Sequence, residues 1–580
     1  MKKNSVPGAA VAVAVLGLAV LLGPACSSSK GSQGAGGAGG AGPGGAGAVG
    51  GGGTAAGGTA GSAGPGGAAG ANLAAIVVQP PAADVLTCTS LQLAATVPPA
   101  IDPTGAVIWA VDRGPEGGAV TSTGLYSAPA VVPSPSVVAV TATSVADPTK
   151  SAASRVTLHE VMPQAPVAIG ESSDHYMAPH QMAAAGKNVY AVLAPTTAGA
   201  YSLQVAASAD GGKTFAAPAP VSDAPNAQVP ISCQAIAVDA GDPNTVYVSY
   251  MLGAGVISKT KDAAAPGAGA TLALAVSVDA GAHWTNYVLE SHDSTFGVCP
   301  DVASPGPATV AVETPAFGFP TPYLTVYVDA SKGAGFAAGG AFQGGWRATQ
   351  AYDVTSDFHD LAFDNVAEAP RLAGDGKGNL CVAYAGGYFA GAGDGKRRIA
   401  VQCSKDAGAH FAAPVDVALE DASAVLRQPT PAFSPGGILA VAYWVDLQAS
   451  GAFSAVRLGI SKDGGKTFAP ATTVPTYQLP AAVGLAAKPG PPAPGWVGEV
   501  LWLGYPVADG AGPGRLVVDK SCDLGATWAG PVLLNGPEPN IAIDLGPPGM
   551  LTVDGRPAAY APEHADGATS DPYSFLRLAP

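Results

Sequence analysis

Titratable side chains are sparse in this chain, and the densest group of them lies in one short segment. Its members are His359, Asp360, Asp364, Glu368 and Arg371. Paired carboxylates serve as general acid and base in glycosidases, and carboxylate oxygens also bind Ca²⁺. The segment therefore predicts an acid–base pair, a Ca²⁺ site or a solvated loop with local ion pairs, and the sequence leaves the three open.

Other polar residues recur just before apolar stretches that are predicted to be strands. They are Asp174, His175, His180, His292, Asp293, Asp301, Arg427, Gln428 and Glu499. If those strands are the innermost strands of a ring of sheets, the loops entering them converge on its central channel. The predicted ligand face is His175, His180, His359, Asp360, Asp364, Glu368, Arg371, Arg427 and Glu499.

Five copies of one short motif, Ser-x-Asp-x-Gly-x-(Thr/His)-(Phe/Trp), recur after residue 200. The Asp-to-Asp steps are 69, 127, 57 and 60 residues, so one repeat has lost its motif near Ser331–Trp346. The motif positions are Ser208, Asp210, Gly212 and Phe215; Ser277, Asp279, Gly281 and Trp284; Ser404, Asp406, Gly408 and Phe411; Ser461, Asp463, Gly465 and Phe468; Ser521, Asp523, Gly525 and Trp528. These copies resemble the Asp-box (BNR) repeat of sialidases and related β-propellers.

The physical role of such a motif is structural. Ser and Asp side chains accept backbone N–H groups and close a tight turn, Gly supplies a positive φ, and the aromatic ring packs beside the turn. The resemblance places each copy between the third and fourth strands of a blade, away from the ligand face. An Asp-box Asp is therefore not expected to be a catalytic acid.

Residues 161–580 are accordingly predicted to form an Asp-box β-propeller in an all-β chain. The segment Ala165–Glu171 is predicted to be the outermost strand of a blade, but no other strands of that blade lie next to it in the sequence. The C-terminal strands, in turn, lack an outermost strand. Pairing the two would close the ring and remove exposed sheet edges. This count favours seven blades, with the six blades of sialidases as the alternative.

Sialidase chemistry is disfavoured in spite of the resemblance. Sialidases hold the sugar carboxylate with three Arg residues, because guanidinium groups bind carboxylates bidentately. No Arg occurs between Arg155 and Arg347, so the triad is not recognisable. No catalytic residue is assigned, and whether the chain is an enzyme stays open, with a non-enzymatic role preferred.

The first 25 residues are predicted to be a signal peptide. Lys2 and Lys3 precede the apolar run Val11–Leu22, which is too short to span a bilayer comfortably, and small residues lead to Cys26. This exit resembles the lipobox of bacterial lipoproteins, which implies lipidation at Cys26 and, with Ser27 following, the outer membrane. Residues 26–72 are rich in Gly and Ala and are predicted to be a disordered tether.

Residues 73–160 are predicted to form a small β-sandwich, because short alternating segments are separated by Pro, Gly and Asp. The segments Val107–Asp112, Gly124–Pro129 and Val138–Ser144 resemble bacterial Ig-like domains of surface proteins. The resemblance implies a spacer or a weak adhesion module.

Cysteine use agrees with an oxidising compartment. Cys381 with Cys403, and Cys233 with Cys299, are the candidate disulfides, whereas Cys88 and Cys522 are expected to stay single. No Cys or His spacing indicates a metal site, and Ca²⁺ is the only cofactor considered. The net charge of −15 makes a nucleic-acid partner unfavourable.

The sequence as a whole predicts a lipid-anchored protein of the bacterial outer membrane or cell surface. Its propeller is predicted to bind a carbohydrate or protein ligand without catalysis. A glycoside hydrolase or lyase on the same fold is the alternative, and a structural role in envelope assembly is the third interpretation.

Overall fold

The computed structural model describes residues 75–172, 180–197, 200–221, 231–252, 270–292, 300–316, 323–332, 345–348, 370–386, 396–421, 425–446, 455–475, 488–508, 515–534, 548–562 and 571–579. The predicted signal peptide, Cys26 and the tether lie outside these residues. Within the described ranges the chain is β-structure with one 3₁₀ turn, Gly114–Gly117, so the all-β prediction is confirmed. No helix in those ranges is long and apolar enough to cross a membrane.

Nine strands form the N-terminal part. They are β1 (Val77–Gln79), β2 (Ala82–Leu86), β3 (Ser90–Gln92), β4 (Ala94–Thr96), β5 (Val107–Val111), β6 (Ala119–Val120), β7 (Leu125–Ser127), β8 (Val137–Ser144) and β9 (Ser151–His159). They pair as a sheet β2-β9-β8-β5, a sheet β3-β7-β6 and a pair β1-β4. Strand β8 alternates half-buried and buried residues, which is the pattern of a strand with one face on a core. Its buried Val138 and Val140 share one core with Tyr126 of β7 and Val85 of β2.

The remaining strands begin with β10 (Met162–Pro163) and β11 (Val167–Ser172). Sheet one contains β12 (Met182–Ala185), β13 (Asn188–Leu193), β16 (Gln204–Ser208) and β17 (Ala219–Pro220), and the pair β14 (Thr196–Thr197) and β15 (Ala200–Tyr201) extends from it. Sheet two contains β18 (Ile231–Val238), β19 (Val246–Leu252), β20 (Ala270–Ser277) and β21 (Thr285–His292). Sheet three contains β22 (Asp301–Gly306), β23 (Thr309–Ala316), β24 (Tyr323–Asp329) and β25 (Gly345–Ala348).

Sheet four contains β26 (Arg371–Gly374), β27 (Leu380–Gly386), β28 (Lys396–Ser404) and β29 (Val415–Asp421). Sheet five contains β30 (Val425–Phe433), β31 (Leu439–Asp446), β32 (Ala455–Ser461) and β33 (Thr472–Thr473). Sheet six contains β34 (Lys488–Pro489), β35 (Ala493–Val497), β36 (Val500–Ala508), β37 (Arg515–Ser521) and β38 (Val532–Leu533). Sheet seven contains β39 (Gly549–Val553), β40 (Arg556–Pro562) and β41 (Asp571–Ala579), joined by β10 and β11.

The first strand of each sheet contacts the first strand of the next. These innermost strands are β12, β18, β22, β26, β30, β35 and β39, and β39 contacts β12 in turn. Each sheet is an antiparallel meander, so all innermost strands begin at the same end of their sheets. We call this the entry end, and the opposite end, where the hairpin after each innermost strand lies, the turn end.

Apolar side chains pack between neighbouring sheets and hold this arrangement together. Val205 of sheet one and Val248 of sheet two share one buried cluster. Val189 of sheet one packs with Val553 and Phe575 of sheet seven, so the last sheet is sealed against the first. Burial of such side chains contributes roughly 1.5–3 kcal/mol each.

Strand β41 is completed from the other end of the chain. Val167 of β11 pairs with Phe575 of β41, and Met162 of β10 pairs with Ala579. The predicted pairing of Ala165–Glu171 with the C-terminal strands is therefore confirmed. It covers an edge that would otherwise expose unpaired backbone groups.

The N-terminal sheets are fixed to sheet six by a disulfide between Cys88 and Cys522, whose Cα atoms lie 5.4 Å apart. The expectation that both cysteines stay single is wrong. The buried Lys520 lies beside them, donates to Thr87 Oγ1 at 2.5 Å, and forms an ion pair with Glu160. Burial lowers the pKa of Lys520, and Glu160 opposes that shift.

Candidate functional site

Polar side chains from several sheets meet at the entry end, and the strand geometry brings them together. Asp301 is the first residue of β22, Arg371 is the first of β26, and His180 immediately precedes Gln181 and β12. Because all innermost strands begin at this end, these positions lie close together although 191 residues separate the first from the last. We call the group formed by His180, Asp301, Glu313, Arg371 and Tyr560 the channel cluster.

The imidazole of His180 is oriented by Asp301. Its Nδ1 lies 2.9 Å from Asp301 Oδ1, the Asp301 side chain is 0% exposed, and His180 is 33% exposed. The backbone N–H groups of Val302 and Leu372 also donate to the Asp301 carboxylate, each at 2.8 Å. The carboxylate is thus held by three contacts, and Nε2 is the ring nitrogen of His180 that remains for a ligand.

Glu313 is an acid buried in an apolar strand. It is the β23 residue paired with Asp301, it is 0% exposed, and neither carboxyl oxygen has a hydrogen-bond partner among the described residues. Burial raises the pKa of Glu313 well above its usual value, and the charge of Asp301 adds to this rise. The positive charge of Arg371 opposes this rise only in part, so the buried site favours the neutral carboxylic acid over the carboxylate.

Arg371 brings the positive charge of the channel cluster. It is 2% exposed, and its guanidinium donates to the carbonyl oxygen of Pro370 at 3.2 Å. Burial lowers its pKa, while Asp301, Glu313 and Tyr560 favour the charged form. An Arg side chain keeps its proton under all ordinary conditions, so the cluster contains a buried cation beside the Asp301 carboxylate.

Tyr560, in β40 of sheet seven, is the last member of the channel cluster. Its hydroxyl accepts the backbone N–H of Gln181 at 3.0 Å, which ties it to the segment that carries His180. Burial raises the pKa of Tyr560 to about 12, so the phenol keeps its proton. Residue 549 must be Gly, because a Cβ there would lie 1.8 Å from the Tyr560 ring.

The channel cluster therefore combines a carboxylate, a neutral acid, a guanidinium, a phenol and an imidazole. Only His180 among them has a substantially exposed side chain. Such a group can orient a hydroxyl-bearing ligand through the imidazole. It also contains the residue types of general acid–base chemistry, with the His180–Asp301 pair on the accessible side.

The predicted ligand face is only partly reproduced. His180 and Arg371 belong to the channel cluster, and Arg427 lies at the entry end in β30 with its guanidinium 5.9 Å from the Trp444 ring. Glu499 was placed wrongly: it is exposed in the hairpin between β35 and β36, at the turn end. The innermost strand of sheet six, β35, ends before Glu499, so the prediction that Glu499 precedes an innermost strand is wrong.

The other predicted face residues lie outside the described ranges, and the Ca²⁺ hypothesis depends on them. They are His175, His359, Asp360, Asp364 and Glu368. Within the described ranges, no group of three or more His, Cys, Asp or Glu side chains is arranged to hold a metal ion.

Sequence reasoning missed Glu313 and Tyr560. Glu313 ends the buried apolar run Val310–Val312, and an acid at such a position is the signal that was available. Tyr560 resembles the other buried tyrosines of the second strands, such as Tyr443 and Tyr505, so nothing in its local sequence distinguishes it.

The Asp-box residues lie at the turn end, in the hairpins between third and fourth strands. In the box of sheet five, Ser461 Oγ donates to Asp463 Oδ1 at 2.7 Å and accepts the backbone N–H of Gly465 at 2.7 Å. The backbone N–H and the hydroxyl of Thr467 donate to the two oxygens of Asp463. Hydrogen bonds from the His283 side chain and backbone hold the pKa of Asp279 at about 2. These carboxylates are occupied by their turns and are not available for catalysis.

A disulfide joins Cys381 of β27 to Cys403 of β28, with Cα atoms 4.1 Å apart in directly paired positions. Cys233 is also disulfide-bonded. Cys299, its expected partner, lies outside the described residues.

No protein-family model and no curated protein matches the chain. Solved structures with a similar arrangement of strands include a protein of unknown function from Dyadobacter fermentans. Its sequence identity is 15% and the TM-score is 0.41, and the match covers 72% of this chain and 99% of that one. An α-L-arabinanase from Penicillium chrysogenum shows 12% identity and a TM-score of 0.38, with coverage of 72% and 98%. An ulvan lyase shows 11% identity and a TM-score of 0.42, with coverage of 70% and 94%. At 15% identity or less, these similarities assign neither an activity nor a ligand to the chain.

Proposed function

We propose that residues 161–580 form a seven-bladed β-propeller that binds a carbohydrate at its entry end, with His180 as the contact residue. The unbroken sequence of contacts from β12 through β39 and back supports the ring. The observation that carries the site is the channel cluster, in which buried Asp301, Glu313 and Arg371 lie behind the one accessible imidazole.

The energetics of the channel cluster favour a functional role. An unpartnered buried polar group costs roughly 1–3 kcal/mol, and Glu313 has two oxygens without a partner among the described residues. Apolar residues of similar volume would often stabilise such a core by about 1–4 kcal/mol relative to buried charges. Strongly shifted pKa values concentrate at functional sites for this reason.

A carbohydrate suits this site better than a protein surface does. A stable protein interface needs about 1,000 Å² or more of buried area, whereas the channel cluster offers His180 as its one substantially exposed side chain. Sugar hydroxyls both donate and accept hydrogen bonds, so one of them can pair with Nε2 of His180, the ring nitrogen that Asp301 leaves for a ligand.

A second function, acid–base chemistry on a glycan, is favoured by one observation. Asp301 holds Nδ1 of His180, and this orients Nε2 to take a proton from a water or from a sugar carbon beside a carboxylate. Hydrolysis and elimination are the two reaction classes that such a pair can serve.

Both functions are tested with the same variants of the full chain. We expect the wild-type protein to bind one class of glycan on a glycan array. His180→Ala should bind that class with at least tenfold lower affinity. Glu499→Gln is the matched control, because Glu499 is exposed at the turn end. Chromogenic glycosides and the absorbance of unsaturated uronate products detect hydrolysis and elimination. Failure of wild type to bind any glycan, together with no turnover, would refute both functions.

We further propose that the propeller belongs to a lipid-anchored protein of the bacterial outer membrane or cell surface, tethered through residues 26–72. The sandwich of residues 73–160 acts as a spacer, and its disulfide to Cys522 supports a fixed rather than a hinged attachment. Membrane fractionation of Cys26→Ser cells tests the anchor: the protein should leave the membrane fraction. Unchanged fractionation would exclude lipidation at Cys26.

A further inference from the structure

A basic cleft lies at the turn end, where sheet one meets sheet seven. It has a volume of about 440 Å³, and the β12–β13 hairpin, the Asp-box of sheet one, the β39–β40 hairpin and β41 line it. Backbone hydrogen bonds hold these walls together: Asp554 N donates to Gly186 O at 2.8 Å, and Gly211 N donates to Lys187 O at 3.0 Å. The cleft is therefore a built feature of the closure between the first and last sheets, remote from the channel cluster.

The charged residues lining the cleft are predominantly basic. They are Lys187, Lys213, Arg556 and Arg577 on the basic side and Asp210 and Asp554 on the acidic side. The excess of positive charge contrasts with the net charge of −15 of the whole chain. A local patch opposite in sign to the rest of the molecule concentrates anions at that place.

Little of this positive charge is neutralised within the described part of the chain. Both oxygens of Asp210 accept hydrogen bonds from its own turn, and these lower its pKa strongly. Lys187 and Asp554 are 3.9 Å apart and are 64% and 60% exposed, so their pair is weak.

The other three cations have no acidic partner in the described part of the chain. Lys213, Arg556 and Arg577 form no ion pair there, and the Nε of Arg577 is buried without a hydrogen-bond acceptor. A buried guanidinium nitrogen without an acceptor has lost its hydrogen bonds to water and has gained none in the protein, which is unfavourable. An anionic ligand in the cleft would supply the missing acceptor.

We infer that this cleft binds a phosphate monoester carried on a sugar. Guanidinium groups bind phosphate oxygens bidentately, and the phosphate dianion matches the excess of two positive charges among the lining residues. The cleft volume lies within the range of small-molecule sites. It is larger than an inorganic phosphate ion alone would fill. Val553, Pro557 and Leu578 provide the apolar wall for the sugar ring. This site is independent of the proposed glycan site at the entry end.

Calorimetric titration of the full chain with glucose 6-phosphate, inorganic phosphate and glucose tests the inference. We expect glucose 6-phosphate to bind more tightly than inorganic phosphate, and glucose not to bind. Arg556→Ala and Lys213→Ala should each weaken glucose 6-phosphate at least tenfold. Both side chains are exposed, and neither forms a side-chain hydrogen bond or an ion pair with another described residue, so the melting temperature should stay unchanged.

Lys466→Ala is the matched control, because Lys466 holds the same position in the Asp-box of sheet five as Lys213 holds in that of sheet one. It should bind glucose 6-phosphate like wild type. Vesicles containing phosphatidic acid form the second arm, since a membrane lipid can present the same phosphate monoester. Vesicle binding that Arg556→Ala abolishes would support the site with a lipid as its source. The inference is overturned if no phosphate probe binds, or if all three variants bind alike.

Discussion

The buried carboxyl group of Glu313 gives a quantitative test of the channel cluster. Burial raises its pKa well above the usual value of 4.5, so folded Glu313 keeps its proton at pH values where the unfolded chain has lost it. For a raised pKa, the stability contribution is complete below the unfolded pKa and is lost as pH rises through the folded pKa. The free energy of unfolding therefore falls by about 1.4 kcal/mol per pH unit in this window.

Glu313→Gln isolates this effect, because Gln has nearly the same shape and does not titrate. The difference in unfolding free energy, Glu313→Gln minus wild type, should rise by about 1.4 kcal/mol per pH unit above about pH 4.5. It should level off at the pH where folded Glu313 ionises. Urea denaturation between about pH 4.5 and 7.5, followed by fluorescence of the buried Trp496 and Trp502, measures the difference.

A pH-independent difference would refute the reasoning, because it would mean that Arg371 offsets the cost of burying an ionised Glu313. Any constant offset reflects packing of the Gln amide and does not bear on the argument. Glu499→Gln removes one carboxylate at an exposed position and controls for the change in net charge.

Three further substitutions test the contacts that hold the fold together. Glu160→Gln removes the acidic partner of buried Lys520, and urea denaturation should show that the free energy of unfolding falls by about 2 kcal/mol. This is below the roughly 3–5 kcal/mol lost when a fully buried pair is broken, because Glu160 is 31% exposed. Ser461→Ala leaves the backbone N–H of Gly465 without its acceptor and should cost about 1–3 kcal/mol in thermal unfolding, whereas an unchanged melting temperature would contradict the structural role of the Asp-box. Cys522→Ser breaks the disulfide to the N-terminal sheets and should speed limited proteolysis at their junction with sheet six; digestion as slow as that of wild type would show that the noncovalent contacts suffice.

Local features of the fold were readable from the sequence because short-range geometry determines them. An Asp-box turn is made by hydrogen bonds between residues two to four apart, as in the bonds of Ser461 and Asp463 to Gly465 and Thr467. The need for Ala165–Glu171 to find a partner was also visible, because an apolar strand at the edge of a sheet is costly to leave uncovered.

Long-range features were not readable in the same way. Cys88 and Cys522 are 434 residues apart, and nothing local distinguishes such a pair from two single thiols. Glu499 was assigned to the entry end because the strand before it was not recognised. That strand, Ala493–Val497, contains Pro494 and Gly495, and both residue types disfavour a strand prediction.

The sequence by itself predicted that the chain is all-β, where five tight turns lie, and that Ala165–Glu171 pairs with the C-terminal strands. Each of these follows from residue periodicity, from turn chemistry or from the cost of an open sheet edge. Only the tertiary structure decided which polar residues share a site. His180, Asp301, Glu313, Arg371 and Tyr560 come from sheets one, three, four and seven. The pKa shifts of Glu313, Arg371 and Tyr560 arise from a burial that no single segment encodes. Burial and proximity are properties of the assembled sheets, so the chemistry of the channel cluster exists only once the first and last sheets have closed on each other.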